Sequence, residues 1–97
     1  MPATLTASVA LDIGFGRGAL VIYPAESYRG REIEISPVGA DWRVHTGVHE
    51  RGGDDGASLT AVFGSLPAGD YTIWREALVP GPVVTVPDGA VAEIELD

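Results

Sequence analysis

His45 and His49 lie four residues apart with Glu50 beside them, a spacing that on a helix would put two imidazoles on one face, as zinc requires. The residues around them do not read as a helix. Trp42, Val44, Thr46 and Val48 alternate with Arg43, His45 and His49, which is the period of a strand. Four residues of strand span roughly 13 Å, too far for two ligands of one metal. Glu50, Asp54 and Asp55 gather around Gly52, Gly53 and Gly56. They lack the alternating oxygens and distal glutamate of a calcium loop, and read as an acidic hairpin tip. Gly14, Gly16 and Gly18 are followed by Ala19–Tyr23, which reads as strand. A phosphate-binding loop needs a helix there, so this is a turn. Cysteine is absent, which removes disulfides, thiolate nucleophiles and cysteine zinc sites. Serine, histidine and aspartate form no recognisable local motif. The expectation is a protein with no cofactor, no metal site and no catalytic residues, hence not an enzyme.

The aromatic residues carry more. Residues 70–76 read as a strand with Tyr71, Ile73 and Arg75 on one face and Thr72, Trp74 and Glu76 on the other. If Tyr71 packs inward, Trp74 points outward, unless a loop covers it. An exposed tryptophan can stack on a sugar or anchor an interface. Trp74, together with Tyr28 at a loop end, is therefore the candidate binding residue. Trp42, in phase with Val44 and Val48, is expected in the core. Ala19-Leu20-Val21-Ile22-Tyr23 is apolar on both faces. It is either a central strand covered on both sides, or one whose outer face meets a partner. If it neighbours residues 70–76, then Trp74, Leu20 or Val21, and Val62 make one outward patch. That patch suits a protein partner, a second copy in a two-fold homodimer included. Glu32, Glu34, Glu93 and Glu95 would form its rim, with Arg43 and Arg75 available to pair across it.

Alternation recurs wherever such residues could be positioned. Leu5, Ala7, Val9, Leu11 and Ile13 share one face of a first run; Ile33 and Ile35 alternate with Glu32 and Glu34; Leu59, Ala61 and Phe63 with Ser58, Thr60 and Val62; Ala92, Ile94 and Leu96 with Glu93, Glu95 and Asp97. Turn signals at Gly14–Gly18, Pro24–Gly30, Pro37–Asp41, Arg51–Gly56, Gly64–Gly69, Pro80–Pro82 and Pro87–Gly89 separate these runs. The only helical candidate is one turn within Pro24–Tyr28. Val86-Pro87-Asp88-Gly89 reads as a hairpin turn pairing residues 83–86 with 90–96. Seven to eight short strands with such punctuation mark a sandwich or barrel, and an all-β, antiparallel two-sheet sandwich over residues 1–97 as one domain is expected.

Ninety-seven residues, 45% hydrophobic and 21% charged, suffice for one modest core. The net charge of −8 and six scattered arginines, with no lysine, argue against nucleic acid and anionic membrane as partners. No apolar run approaches the roughly 20 residues of a membrane span. No basic residue precedes Arg17, so a secretory leader is not expected and the protein is expected to be cytoplasmic.

Leu66-Pro67-Ala68-Gly69-Asp70-Tyr71, followed by the strands at 83–86 and 90–96, resembles the carboxypeptidase regulatory-like and Cna-B-type domains of the prealbumin-like sandwiches. The resemblance covers the last third of the chain. It implies a seven-stranded Greek key, a structural or binding role, and a corner role for Tyr71, whose hydroxyl would tie down the turn. The internal lysine crosslink of many Cna-B domains is excluded here. Tyr28-Arg29-Gly30 matches part of the signature of transthyretin-like hydroxyisourate hydrolases. There it ends the chain; here Arg31 follows, and the histidines fall in another order. The chain as a whole is also similar to short actinobacterial proteins, some described as phospholipases. It has none of the motifs of that chemistry. The expected function is a non-enzymatic protein-interaction module, with a small-ligand or carbohydrate-binding sandwich as the alternative.

Overall fold

The computed structural model describes residues 13–51 and 58–97. The run from Leu5 to Asp12 and the acidic residues Asp54 and Asp55 lie outside them. The described residues form eight strands: β1 (Arg17–Pro24), β2 (Glu32–Pro37), β3 (Val44–Gly47), β4 (His49–Arg51), β5 (Ser58–Pro67), β6 (Gly69–Glu76), β7 (Val79–Val86) and β8 (Val91–Leu96). They make two four-stranded sheets, ordered β4-β5-β1-β8 and β3-β2-β6-β7. Among the described residues the single helical element is a 3-10 turn, Glu26–Tyr28, where the proline-led segment predicted one. Among the described residues no helix is long and apolar enough to cross a membrane.

Most of the inward residues on β2, β5, β6 and β8 are those the alternation selects; Leu20 and Ile22, from the doubly apolar run, and Val86 join them. Leu20 and Ile22 of β1, Ala61 and Phe63 of β5 and Leu96 of β8 pack against Ile33 and Ile35 of β2, Tyr71 and Ile73 of β6 and Val86 of β7. Removing this apolar surface from water, at about 25 cal/mol per Å², is what holds the two sheets face to face. The doubly apolar β1 is a central strand, between β5 and β8. Its outward Ala19 and Val21 are buried as well.

Four expectations are corrected. The stretch 42–49 is not one strand. It leaves the second sheet after Gly47, passes a corner at Val48, whose N–H donates to the Arg31 carbonyl at 3.0 Å, and enters the first sheet as β4. Alternation continues through such a corner, so periodicity does not reveal it. The turn expected at Gly64–Gly69 is shorter. β5 continues to Pro67 through a register shift against β1, between Gly18 and Leu20. This bulge lets Phe63 and Leu66, three residues apart, both face the core. The Arg17 guanidinium holds it, with Nε donating to Ser65 Oγ at 2.5 Å.

The remaining two corrections share a cause. β7 and β8 do not form a hairpin, and the sheets are not wholly antiparallel. β7 pairs with β6, whereas β8 lies beside β1 in parallel, Ala19 opposite Val91 through Pro24 opposite Leu96. The Pro87–Gly89 turn crosses from sheet to sheet because the start of β1 captures it. Gly89 N–H donates to the Arg17 carbonyl at 2.8 Å, and Gly16 N–H to Asp88 Oδ1 at 2.9 Å. The approach is possible because residue 18 is glycine. A Cβ there would lie 2.0 Å from the Pro87 carbonyl oxygen and 2.9 Å from that of Ala90.

Two substitutions test this account. Phe63→Ala is expected to cost about 3–5 kcal/mol, as for a buried aromatic ring. Gly18→Ala adds one methyl group to a site with no room for it. It is expected to cost roughly 1–3 kcal/mol, where an exposed glycine-to-alanine change would cost almost nothing. Denaturant unfolding monitored by circular dichroism measures both.

Candidate functional site

β6 alternates as the sequence predicted, with Tyr71 and Ile73 in the core and Trp74 on the outer face of the second sheet. The Trp74 indole is nevertheless occupied. Its Nε1–H donates to Ser36 Oγ at 2.9 Å. The Arg43 guanidinium stacks 3.8 Å from the ring centroid, and its Nη1 bonds Glu34 Oε1 at 2.8 Å. Ring, cation and carboxylate form one closed assembly on a flat face, and the tryptophan is half-buried.

Tyr28 is not a loop-end contact. The 3-10 turn points its ring into the core, where it is 5% exposed, and Arg31 stacks 4.7 Å from its centroid. The proposed patch of Trp74 with Leu20 or Val21 and Val62 does not form. β6 belongs to one sheet, β1 and β5 to the other. Leu20 faces the core, and Val21 opposes Val62 on the far outer face. The intended acidic rim is divided the same way, Glu32 and Glu34 lying on β2, Glu93 and Glu95 on β8. Arg75 is turned to the C-terminal residue, Asp97. His45 and His49 sit on strands of different sheets, both exposed. Among the described residues no three of His, Cys, Asp and Glu are grouped to hold a metal ion.

The tryptophan that is open is Trp42, expected in the core and 47% exposed. Its phase with Val44 carries no weight because β3 begins only at Val44, which opposes Ile35. Trp42 stands before the ladder, just after the turn in which Ala40 N–H donates to the Pro37 carbonyl at 3.0 Å and Gly39 takes φ +89°. The signal available in the sequence was Gly39-Ala40-Asp41, turn residues directly before the ring.

Trp42 borders an open cleft of about 520 Å³ at one end of the sandwich, with Pro37, Val38, Pro67, Asp70 and Tyr71 among its walls. Two short connections make it, the β2–β3 loop and the β5–β6 turn. Val38 N–H donates to the Asp70 carbonyl at 3.0 Å and ties one to the other. The turn is braced from below by the Tyr71 hydroxyl, which donates to the Pro67 carbonyl at 2.6 Å, the corner role expected for it. Asp70 Oδ1 accepts from Thr85 Oγ1 at 2.6 Å, which fixes the carboxylate at the end of the sheet. The lining is therefore mostly apolar, with one carboxylate and one phenol whose proton is already engaged. Burial pushes the Tyr71 phenol above its ordinary pKa, and outweighs the opposing pull of the Arg17 charge.

No protein-family model matches the chain, no curated protein matches it, and no solved structure matches it.

The Tyr71 brace has a pH signature. Its pKa is raised in the fold, so the stabilisation is fully present below the unfolded tyrosine value, near 10, and is lost as pH rises through the folded one. Tyr71→Phe is expected to cost about 1 kcal/mol at neutral pH. It should also unfold with a shallower loss of stability above pH 10 than the wild type. Thermal unfolding of both proteins across that range is the measurement.

Proposed function

We propose that this protein is a non-enzymatic interaction module that holds an extended segment of a partner protein in the Trp42 cleft. The observation that carries the reading is a tryptophan 47% exposed beside an apolar concavity, where the chain's other tryptophan, Trp74, is held by Ser36 and Arg43. Tryptophan is among the residues most enriched at the energetic anchors of protein interfaces. A cleft of about 520 Å³ lies within the usual range for ligand sites. Proline- and tryptophan-lined grooves suit extended chains, which present side chains at regular intervals without helical bulk. The resemblance of residues 66–71 to prealbumin-like modules supports a binding role. The lining also speaks against chemistry. Its ionisable side chains are Asp70, held by Thr85, and Tyr71, held by the Pro67 carbonyl, and they form no nucleophile–base pair.

Carbohydrate binding is the second reading, favoured by the same stacking ring with a carboxylate in the same cleft. A sugar site, however, needs several polar groups converging on the hydroxyls, and here one of the two side-chain candidates is spent on the backbone.

A peptide array and a glycan array, probed with wild type and Trp42→Ala, decide between them. Trp42→Ala is expected to fold normally and to lose peptide binding at least tenfold, as truncation of an aromatic anchor does. Trp74→Phe, on the flat face, should retain it. Binding confined to glycans would overturn the protein-segment reading.

A further inference from the structure

The cleft carries a more specific signature than apolarity. Where an arginine of this chain meets a tryptophan, it does so in one arrangement: Arg43 lies flat over Trp74, 3.8 Å from the centroid, with Glu34 accepting from its guanidinium at 2.8 Å. A planar guanidinium is weakly hydrated, so it satisfies an aromatic face and a carboxylate at once. The cleft presents two of these three parts, Trp42 as the face and Asp70 as the carboxylate. Among the described residues no cation stands over Trp42 and no basic group pairs with Asp70. Thr85 occupies Asp70 Oδ1, and no donor among the described residues takes Oδ2. The base next along the chain, Arg43, is committed to Trp74 and Glu34. Arg17, opposite Pro67 in the β1–β5 ladder, is committed to Ser65. The field of the whole molecule, at net charge −8, draws cations toward it.

We propose that the Trp42 cleft recognises an arginine side chain in the partner segment, its guanidinium stacked on the Trp42 indole and hydrogen-bonded to Asp70. This rests on the reading of the cleft as a peptide groove. Arginine is the fitting cation, since the lysine ammonium is compact and strongly hydrated and cannot lie flat against the ring. The flanking walls, Pro37, Val38 and Pro67, take the apolar stem and the neighbouring residues of the segment.

The probes are three short synthetic peptides with prolines flanking a central arginine, citrulline or lysine. Binding is followed by the shift of the Trp42 indole N–H in nuclear magnetic resonance spectra, using wild type and Asp70→Asn. Citrulline keeps the planar shape and removes the charge. The arginine peptide is expected to bind about fivefold to tenfold more tightly than either analogue. Asp70→Asn, which can still accept from Thr85, should remove most of that advantage and leave citrulline binding unchanged. Equal binding of arginine and citrulline, or an equal loss of both in Asp70→Asn, would overturn the arginine inference and leave the peptide groove standing. An indole N–H that none of the peptides moves at millimolar concentration would overturn the groove reading as well.

Discussion

At the start of β1 two stretches of backbone meet with no side chain between them. Gly18 gives its Cβ space to the Pro87 carbonyl, and the turn that carries this carbonyl is held by Arg17 and Gly16 through main-chain groups. The consequence is topological. Held there, the chain leaving β7 cannot fold back on β7, and β8 is laid beside β1 in parallel. That places Leu96 in the core and makes β1 a central strand. A parallel neighbour requires a long crossover, and the intervening chain is that crossover.

The same corner fixes the candidate site. Arg17, one residue before the close approach, reaches across to Ser65 and holds the β5 bulge. Because of that bulge Leu66 reaches the core and β5 runs on to Pro67. Ala68 N–H then donates to the Gly16 carbonyl at 3.0 Å, so both turns are moored on the segment leading into β1. Tyr71 braces Pro67 from inside the fold. A rigid wall results, against which the β2–β3 loop lays Trp42. Groups that bind best are those whose positions are settled before the ligand arrives, and here the settling is done by contacts within and beneath the cleft wall.

The two tryptophans separate along the same logic. Trp74 is on a strand, where Ser36 of the neighbouring strand supplies a hydroxyl and Arg43, just before β3, a cation. Trp42 is on a loop, where no ladder guarantees neighbours, and its ring stays open to whatever enters the cleft. Loops held on a fixed frame are where proteins place recognition, and this pair shows why.

Local alternation of apolar and polar residues was enough, from the amino-acid sequence, to specify an all-β chain, to put Ile33, Ile35, Ala61, Phe63, Tyr71 and Ile73 inside, and to send Trp74 to an outer face; for Leu20 and Ile22, in a run apolar on both faces, it was not. Those are statements about one strand at a time, and a period of two encodes them directly. Which strands lie side by side is a different kind of fact. It depended on a missing Cβ at Gly18, on a bulge at Gly64–Ser65 and on a corner at Val48, each a contact between distant parts of the chain or a break in the period itself. The partition of Trp74 from β1 follows from that pairing. Tertiary structure alone decided the site, because a cleft is made by two loops that only long-range packing brings together.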